Sequence, residues 1–182
     1  LGDASAGHLA DYFETVWALP DCRSRSAPAD ERTLDALRSR YEDLKQHYPN
    51  TFGFSDWENL TMPAGSVTLL TGAVGVGTKP PSMWKNLCAY MEQGENILIQ
   101  TPYVICGKEM YEDLTALSAE QSLTILTNSP ETGANPFGCA DYLNQKDNIL
   151  ATGASILEYA GNHSLHTKTI LIDENISIIG SF

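Results

Sequence analysis

The chain has 182 residues and a mass of 19.9 kDa, the size of one ordinary domain or of one domain with a helical extension. It is 42% hydrophobic and 19% charged, which excludes disordered, collagen-like and coiled-coil chains. Eleven Lys and Arg against 23 Asp and Glu leave a net charge of -12, so the bulk surface suits polyanions poorly and phosphate chemistry must rest on a few local cations.

No apolar run approaches the ~20 residues of a membrane-spanning helix, and no signal-peptide pattern opens the chain. Cys22, Cys88, Cys106 and Cys139 form no CxxC pair and read as unpaired thiols of a reducing compartment, with disulfides as the alternative. The sequence opens on Leu1 rather than Met and stops inside an apolar stretch, so it reads as a piece of a longer protein.

Residues 8–18 put Leu9, Tyr12, Phe13, Val16 and Trp17 at helical spacing, and Pro20 ends that helix. A second helix is predicted from about Pro28 to Tyr48, with the stripe Leu34, Leu37, Tyr41, Leu44 and Tyr48 and with Pro49-Asn50 as a stop signal. Residues 49–64 read as a connection, which closes a first region at residue 64. From Ser66 the texture changes. The predicted order is a strand at 66–71, a loop at 72–81, a helix at 82–93, a strand at 96–101, a helix at 107–117 and a strand at 122–127. A long loop, a helix at about 139–150, a strand at 155–159 and two strands at 164–172 and 176–181 follow. Alternating strands and helices predict an α/β sandwich with a largely parallel sheet over residues 65–182. The last two strands are too close for a crossover helix and predict a terminal antiparallel hairpin.

Three features are decoys. Gly72-Ala-Val-Gly-Val-Gly77-Thr78-Lys79 imitates a phosphate-cradling loop, but Thr precedes Lys and two prolines follow, so the Lys and hydroxyl order is wrong. Sequons at Asn59, Asn162 and Asn175 read as chance, and His8, His47 and His163 have no metal-ligand spacing with the acidic residues.

The informative segment runs from His163 to Phe182. Its core is His166-x-Lys168, then Asp173, then Gly180-Ser181. On a strand, residues two apart share a face, so His166 and Lys168 stand side by side ~7 Å apart along the chain. An imidazole can attack phosphorus or protonate a leaving oxygen, and an ammonium neutralises the non-bridging oxygens. A two-residue hairpin loop at Glu174-Asn175 pairs Asp173 with Ile176, sets Lys168 opposite Ser181 and sets His166 opposite position 183. The Ser181 hydroxyl then lies beside Lys168, while Asp173, on the other face at the strand's end, takes a hydrogen-bonding role.

These residues resemble the H-x-K-x4-D and G-S-x-N motif of the phospholipase D superfamily, with His166, Lys168, Asp173, Gly180 and Ser181 in place and the Asn beyond the last residue. Asn96–Tyr103 (NILIQTPY) is similar to a strand of the bacterial cardiolipin synthase branch. So are Leu123–Asn128 with Ser129-Pro130, and the stretch Tyr142–Tyr159 with Leu150, Gly153, Ile156 and Glu158. The resemblance spans roughly Ser66–Phe182, and residues 1–64 look like the tail of a preceding half-domain.

The resemblance implies a phospholipase D-like α/β sandwich, with a mixed, largely parallel sheet and a terminal hairpin, preceded by two helices. It implies two halves, each carrying a motif, with one histidine as nucleophile and the other as general acid, and with no metal or cofactor. His166 is then the likelier acid, Lys168 and Asp173 complete the catalytic set, and Gly180 and Ser181 join Lys168 in binding substrate. The implied activity is phosphatidyl transfer or phospholipid hydrolysis by the parent protein, located in the bacterial cytoplasm or peripheral to the cell membrane. The implied partners are a phospholipid and either the other half of the parent chain or a second protomer. A nuclease of the same superfamily and a non-catalytic binding module are the competing readings; nucleic acid fits the acidic surface badly.

Overall fold

The computed structural model describes residues 3–181 apart from 25, 29, 54–55, 76 and 132–134. The chain forms two compact units, Leu1–Leu69 with Val74–Val76, and Leu70–Ala73 with Gly77–Phe182.

The first unit is helical. Helix α1 spans Asp3–Trp17 and α2 spans Glu31–His47; one-turn helices α3 (Pro49–Phe52) and α4 (Trp57–Leu60) follow within the expected connection. Helix α1 starts five residues before the apolar pattern does, because Ala4 and Ala6 favour helix without burying anything. Helix α2 starts at Glu31 rather than Pro28 because Asp30 caps it, accepting from Thr33 N at 3.1 Å and from Thr33 Oγ1 at 2.7 Å. Glu31 in its first turn and Lys45 and His47 in its last oppose the helix dipole. None of the described residues of this unit is buried.

The second unit holds a five-stranded sheet. In chain order it contains α5 (Ser82–Met91), β1 (Asn96–Gln100), α6 (Lys108–Glu120), β2 (Ser122–Asn128), α7 (Pro136–Leu150), β3 (Ser155–Tyr159), β4 (Thr169–Ile172) and β5 (Ile176–Ile179). The strand order is β3-β2-β1-β4-β5. β1 pairs parallel with β2, and β2 with β3; β4 is antiparallel to both β1 and β5. The parallel pairs are joined through α6 and α7, and the β4–β5 pair is the expected hairpin.

One face of the sheet carries the core. Ile97 and Ile99 of β1, Leu123 and Ile125 of β2, and Ile170 and Ile172 of β4 are buried with Leu87 and Met91 of α5, Leu114 and Leu117 of α6, and Tyr142 and Ile149 of α7. Alternation along the strands sends Leu157 and Ile179 to the other face, where they are 54% and 77% exposed. Helices α5 and α6 are tied by Asp113, which takes Trp84 Nε1 and Lys85 Nζ, both at 2.8 Å.

Several expected boundaries change, among them three in or beside the sheet region. Residues 66–71, expected as a strand, enter no ladder; their β-propensity finds no partner strand, and Val67 is 53% exposed. Helix α7 starts at Pro136 rather than 139, because Asn135 accepts from the N–H groups of Phe137 and Gly138 and Pro suits the first helical position. The expected strand 164–172 is paired with β1 only from Thr169 onward, so His166 and Lys168 lie in the extended lead-in to β4.

Candidate functional site

The parallel strands β1 and β2 end at Gln100 and Asn128, and β4 runs the opposite way, so its first residue Thr169 lies opposite Gln100. The lead-in to β4 therefore arrives at the carboxyl ends of the parallel strands, where loops converge in open α/β sheets. His166 and Lys168 sit in that lead-in. Lys168 Nζ is 3.4 Å from His166 Nδ1 and donates to the His166 carbonyl at 3.2 Å. The two side chains meet on one side of an extended segment, and the imidazole is solvent-exposed.

Tyr103, three residues beyond β1, packs its ring in a T-shaped contact with His166, with centroids 6.4 Å apart and planes at 81°. That ring lies against Gly138 in the first turn of α7, so closely that a Cβ at 138 would sit 2.5 Å from Tyr103 Cδ1. Below it, Asn128 is 2% exposed. Its Nδ2 donates to the carbonyls of Leu165 at 3.0 Å and Pro102 at 3.2 Å, and its Oδ1 accepts from Leu165 N at 2.8 Å. On β3, Glu158 accepts from Tyr142 Oη at 2.6 Å and from Lys146 Nζ at 2.9 Å. The Tyr142 hydroxyl, then Lys146, hold the Glu158 carboxyl below the usual range, while burial and then the Glu158 contact raise the Tyr142 phenol.

The hairpin register differs from the expected one. Ile172, not Asp173, pairs with Ile176, so the loop has three residues, Asp173 to Asn175. Asp173 takes a left-handed conformation with φ 49°, which an Asp side chain tolerates, and this admits the extra residue. The one-residue slip moves every partner. Gly180 N donates to Lys168 O at 3.1 Å, so Gly180 rather than Ser181 lies opposite Lys168. Continued by one residue, that register sets Ser181 opposite Thr167 rather than Lys168; position 182 lies outside the described residues.

Asp173 is likewise remote from the pair, at the far end of β4. Its carboxylate accepts from the backbone N–H of Asn96 at 2.8 Å and of Glu95 at 3.1 Å, and from Asn96 Nδ2 at 3.2 Å. The Asn96 and Glu95 amides hold its carboxyl below the ordinary range. Gly94 belongs to this clasp, because a Cβ there would be driven into Ile172 and lie 2.8 Å from Asp173 Oδ2. The structure thus joins His166 to Lys168 and Gly180 to the Lys168 backbone; it does not bring Asp173 or Ser181 to them. Among the described residues no cluster of three or more His, Cys, Asp or Glu side chains gathers around a point that would hold a metal ion.

Sequence reasoning missed Tyr103, Gly138 and the position of Asn128. The available signal was a polar residue ending an apolar strand just before Ser129-Pro130, where a buried amide needs backbone partners.

The family described as "Cardiolipin synthase, PLD-like domain" matches residues 87–182, from within α5 to the last residue. Residues 66–86, which the resemblance was read to include, lie outside that match. An uncharacterized protein of Helicobacter pylori (strain ATCC 700392 / 26695) is 28% identical over 102 residues, covering 48% of this chain and 20% of the relative. The chain thus spans about a fifth of that relative's length. No solved structure matches the chain.

Proposed function

The chain belongs to the cardiolipin synthase, PLD-like domain family, and from that premise we propose that it carries one histidine–lysine half of a phosphatidyl-transfer centre. The observation that supports this best is the His166 imidazole meeting the Lys168 ammonium at 3.4 Å at the end of the sheet. In the proposed reaction a histidine of a second half attacks the phosphorus of a phospholipid. A P–N bond forms, the P–O bond to the leaving alcohol breaks, and the imidazolium of His166 gives its proton to that oxygen. The acceptor's hydroxyl then attacks phosphorus, its proton passes to the His166 imidazole, and the P–N bond breaks. Water in the acceptor's place gives hydrolysis. Lys168 balances charge on the non-bridging oxygens throughout.

The acidic surface, with a net charge of -12, favours a phospholipid over nucleic acid as the substrate. No helix among the described residues is long and apolar enough to cross a membrane, so contact with lipid from this region is peripheral in the proposal. The second half comes from a longer parent chain or a second protomer.

The test is a soak or titration with tungstate, a phosphate analogue, at pH 5–6. Tungstate is expected at His166 and Lys168 with affinity on the order of millimolar. Lys168→Ala is expected to abolish it and Lys79→Ala to leave it intact. Occupation of the Gly72–Lys79 loop instead would overturn the proposal. A monomer of this chain is expected neither to hydrolyse nor to transfer phospholipid; His166-dependent turnover by a strict monomer would refute the two-half mechanism.

A further inference from the structure

His166 poses a mechanical problem. A reacting imidazole must be held, yet residues 164–168 precede the β1–β4 ladder, which begins at Thr169. One side chain resolves it. The Asn128 amide grips Leu165 at both backbone groups, accepting from its N–H at 2.8 Å and donating to its C=O at 3.0 Å. This is the two-bond pattern of an antiparallel backbone pair, made by a side chain where β2 has ended. The same Nδ2 donates to Pro102 O at 3.2 Å. Leu165 precedes His166 and Pro102 precedes Tyr103, whose ring makes a T-shaped contact with the imidazole. A single amide therefore holds the backbone immediately before each of the two rings.

We infer that Asn128 is the positioning residue of His166, clamping the segment that carries the imidazole to the segment that carries its aromatic neighbour. The chemistry of the pocket specifies an amide. Two carbonyl oxygens converge on one end and an N–H points at the other, so the side chain must both donate and accept. Aspartate has the same shape but sets an ionised oxygen against two carbonyls. Asn128 is 2% exposed, so water is poorly placed to repair the loss. The functional weight of the inference rests on the reading of His166 as a reacting group; the clamp itself does not.

The experiment is NMR on this chain, native and Asn128→Asp. In the native chain the Leu165 amide should exchange as slowly as the β4 amides, although it lies outside that strand, and a Tyr103–His166 ring cross-peak should appear. In Asn128→Asp, Leu165 exchange should accelerate roughly a hundredfold and the cross-peak should vanish, while amides of Ile97, Ile125 and Ile170 stay protected. Tungstate binding should weaken about tenfold or more. A folded variant that keeps the cross-peak and the affinity overturns the inference. So does unprotected Leu165 exchange in the native chain, a measurement that stands even if the variant fails to fold. Native protein that ignores tungstate sinks the phosphate reading alone, and the exchange and cross-peak results still decide the clamp.

Discussion

Gly138→Ala sets two opposed effects against each other in one residue. Gly138 is the third residue of α7, and replacing Gly by Ala in a helix interior gains about 1 kcal/mol, less within the first turn. Its missing side chain, however, faces Tyr103. A Cβ would lie 2.5, 2.8 and 3.0 Å from Cδ1, Cγ and Cε1 of that ring, where ordinary contact begins at 3.4 Å. The ring must retreat by about 1 Å to restore normal contact. Its backbone is not free to follow, because Thr101 Oγ1 donates to Tyr103 O at 3.1 Å and Asn128 holds Pro102. Overpacking of this kind costs about 1–3 kcal/mol, so the clash outweighs the helix gain and the net loss is about 1 kcal/mol. For a unit of this size that lowers the melting temperature by about 4–8 °C.

The consequence for the site separates this effect from a general loss of packing. A displaced Tyr103 ring changes its edge contact with His166, so tungstate binding should weaken together with the fall in melting temperature. Gly7 supplies the control. It lies inside α1 with nothing within 4 Å of its absent side chain, and Gly7→Ala should stabilise its helix by about 0.5–1 kcal/mol. Thermal melting and the Tyr103–His166 cross-peak read both variants. A rise in melting temperature for Gly138→Ala, with that cross-peak unchanged, would refute the close-packing argument.

Acid should weaken the second unit through Asp173 and Glu158. Both carboxyls hold protons less readily folded than unfolded, so the stability they add is complete above the ordinary carboxylate value of ~4 and fades as pH falls through their lowered folded values. Melting curves from about pH 5 to pH 3 should therefore be flatter for the Asp173→Asn, Glu158→Gln double variant than for the native chain; equal slopes would contradict the assignment. Tyr142→Phe removes the phenol that bonds Glu158 and should cost about 1 kcal/mol, with the β2 and β3 amides still protected from exchange. Burial pushes the Cys88 and Cys106 thiols up to about 11, so a maleimide at pH 8 should modify each of them at least about tenfold more slowly in the folded chain than in the urea-unfolded chain, read by mass spectrometry of peptides.

The sequence carried the elements whose information is local. Ile97, Ile99, Leu123, Ile125, Ile170 and Ile172 alternate within short runs, and each run became a strand of the sheet. The His166–Lys168 neighbourhood was legible for the same reason, because a period of two is a property of any extended segment, paired or not. What was not legible depends on partners distant in sequence. The 66–71 run has strand chemistry and no neighbouring strand. The hairpin register turned on one residue: a two-residue loop and a three-residue loop fit Ile172-Asp-Glu-Asn-Ile176 equally well by composition. The choice is made by the Asp173 carboxylate reaching back to the amides of Glu95 and Asn96, 78 and 77 positions away. Once that clasp forms at one end of β4, the partners at the other end are fixed. Asp173, distant from the chemistry, thereby decides that Gly180 and not Ser181 lies across from Lys168.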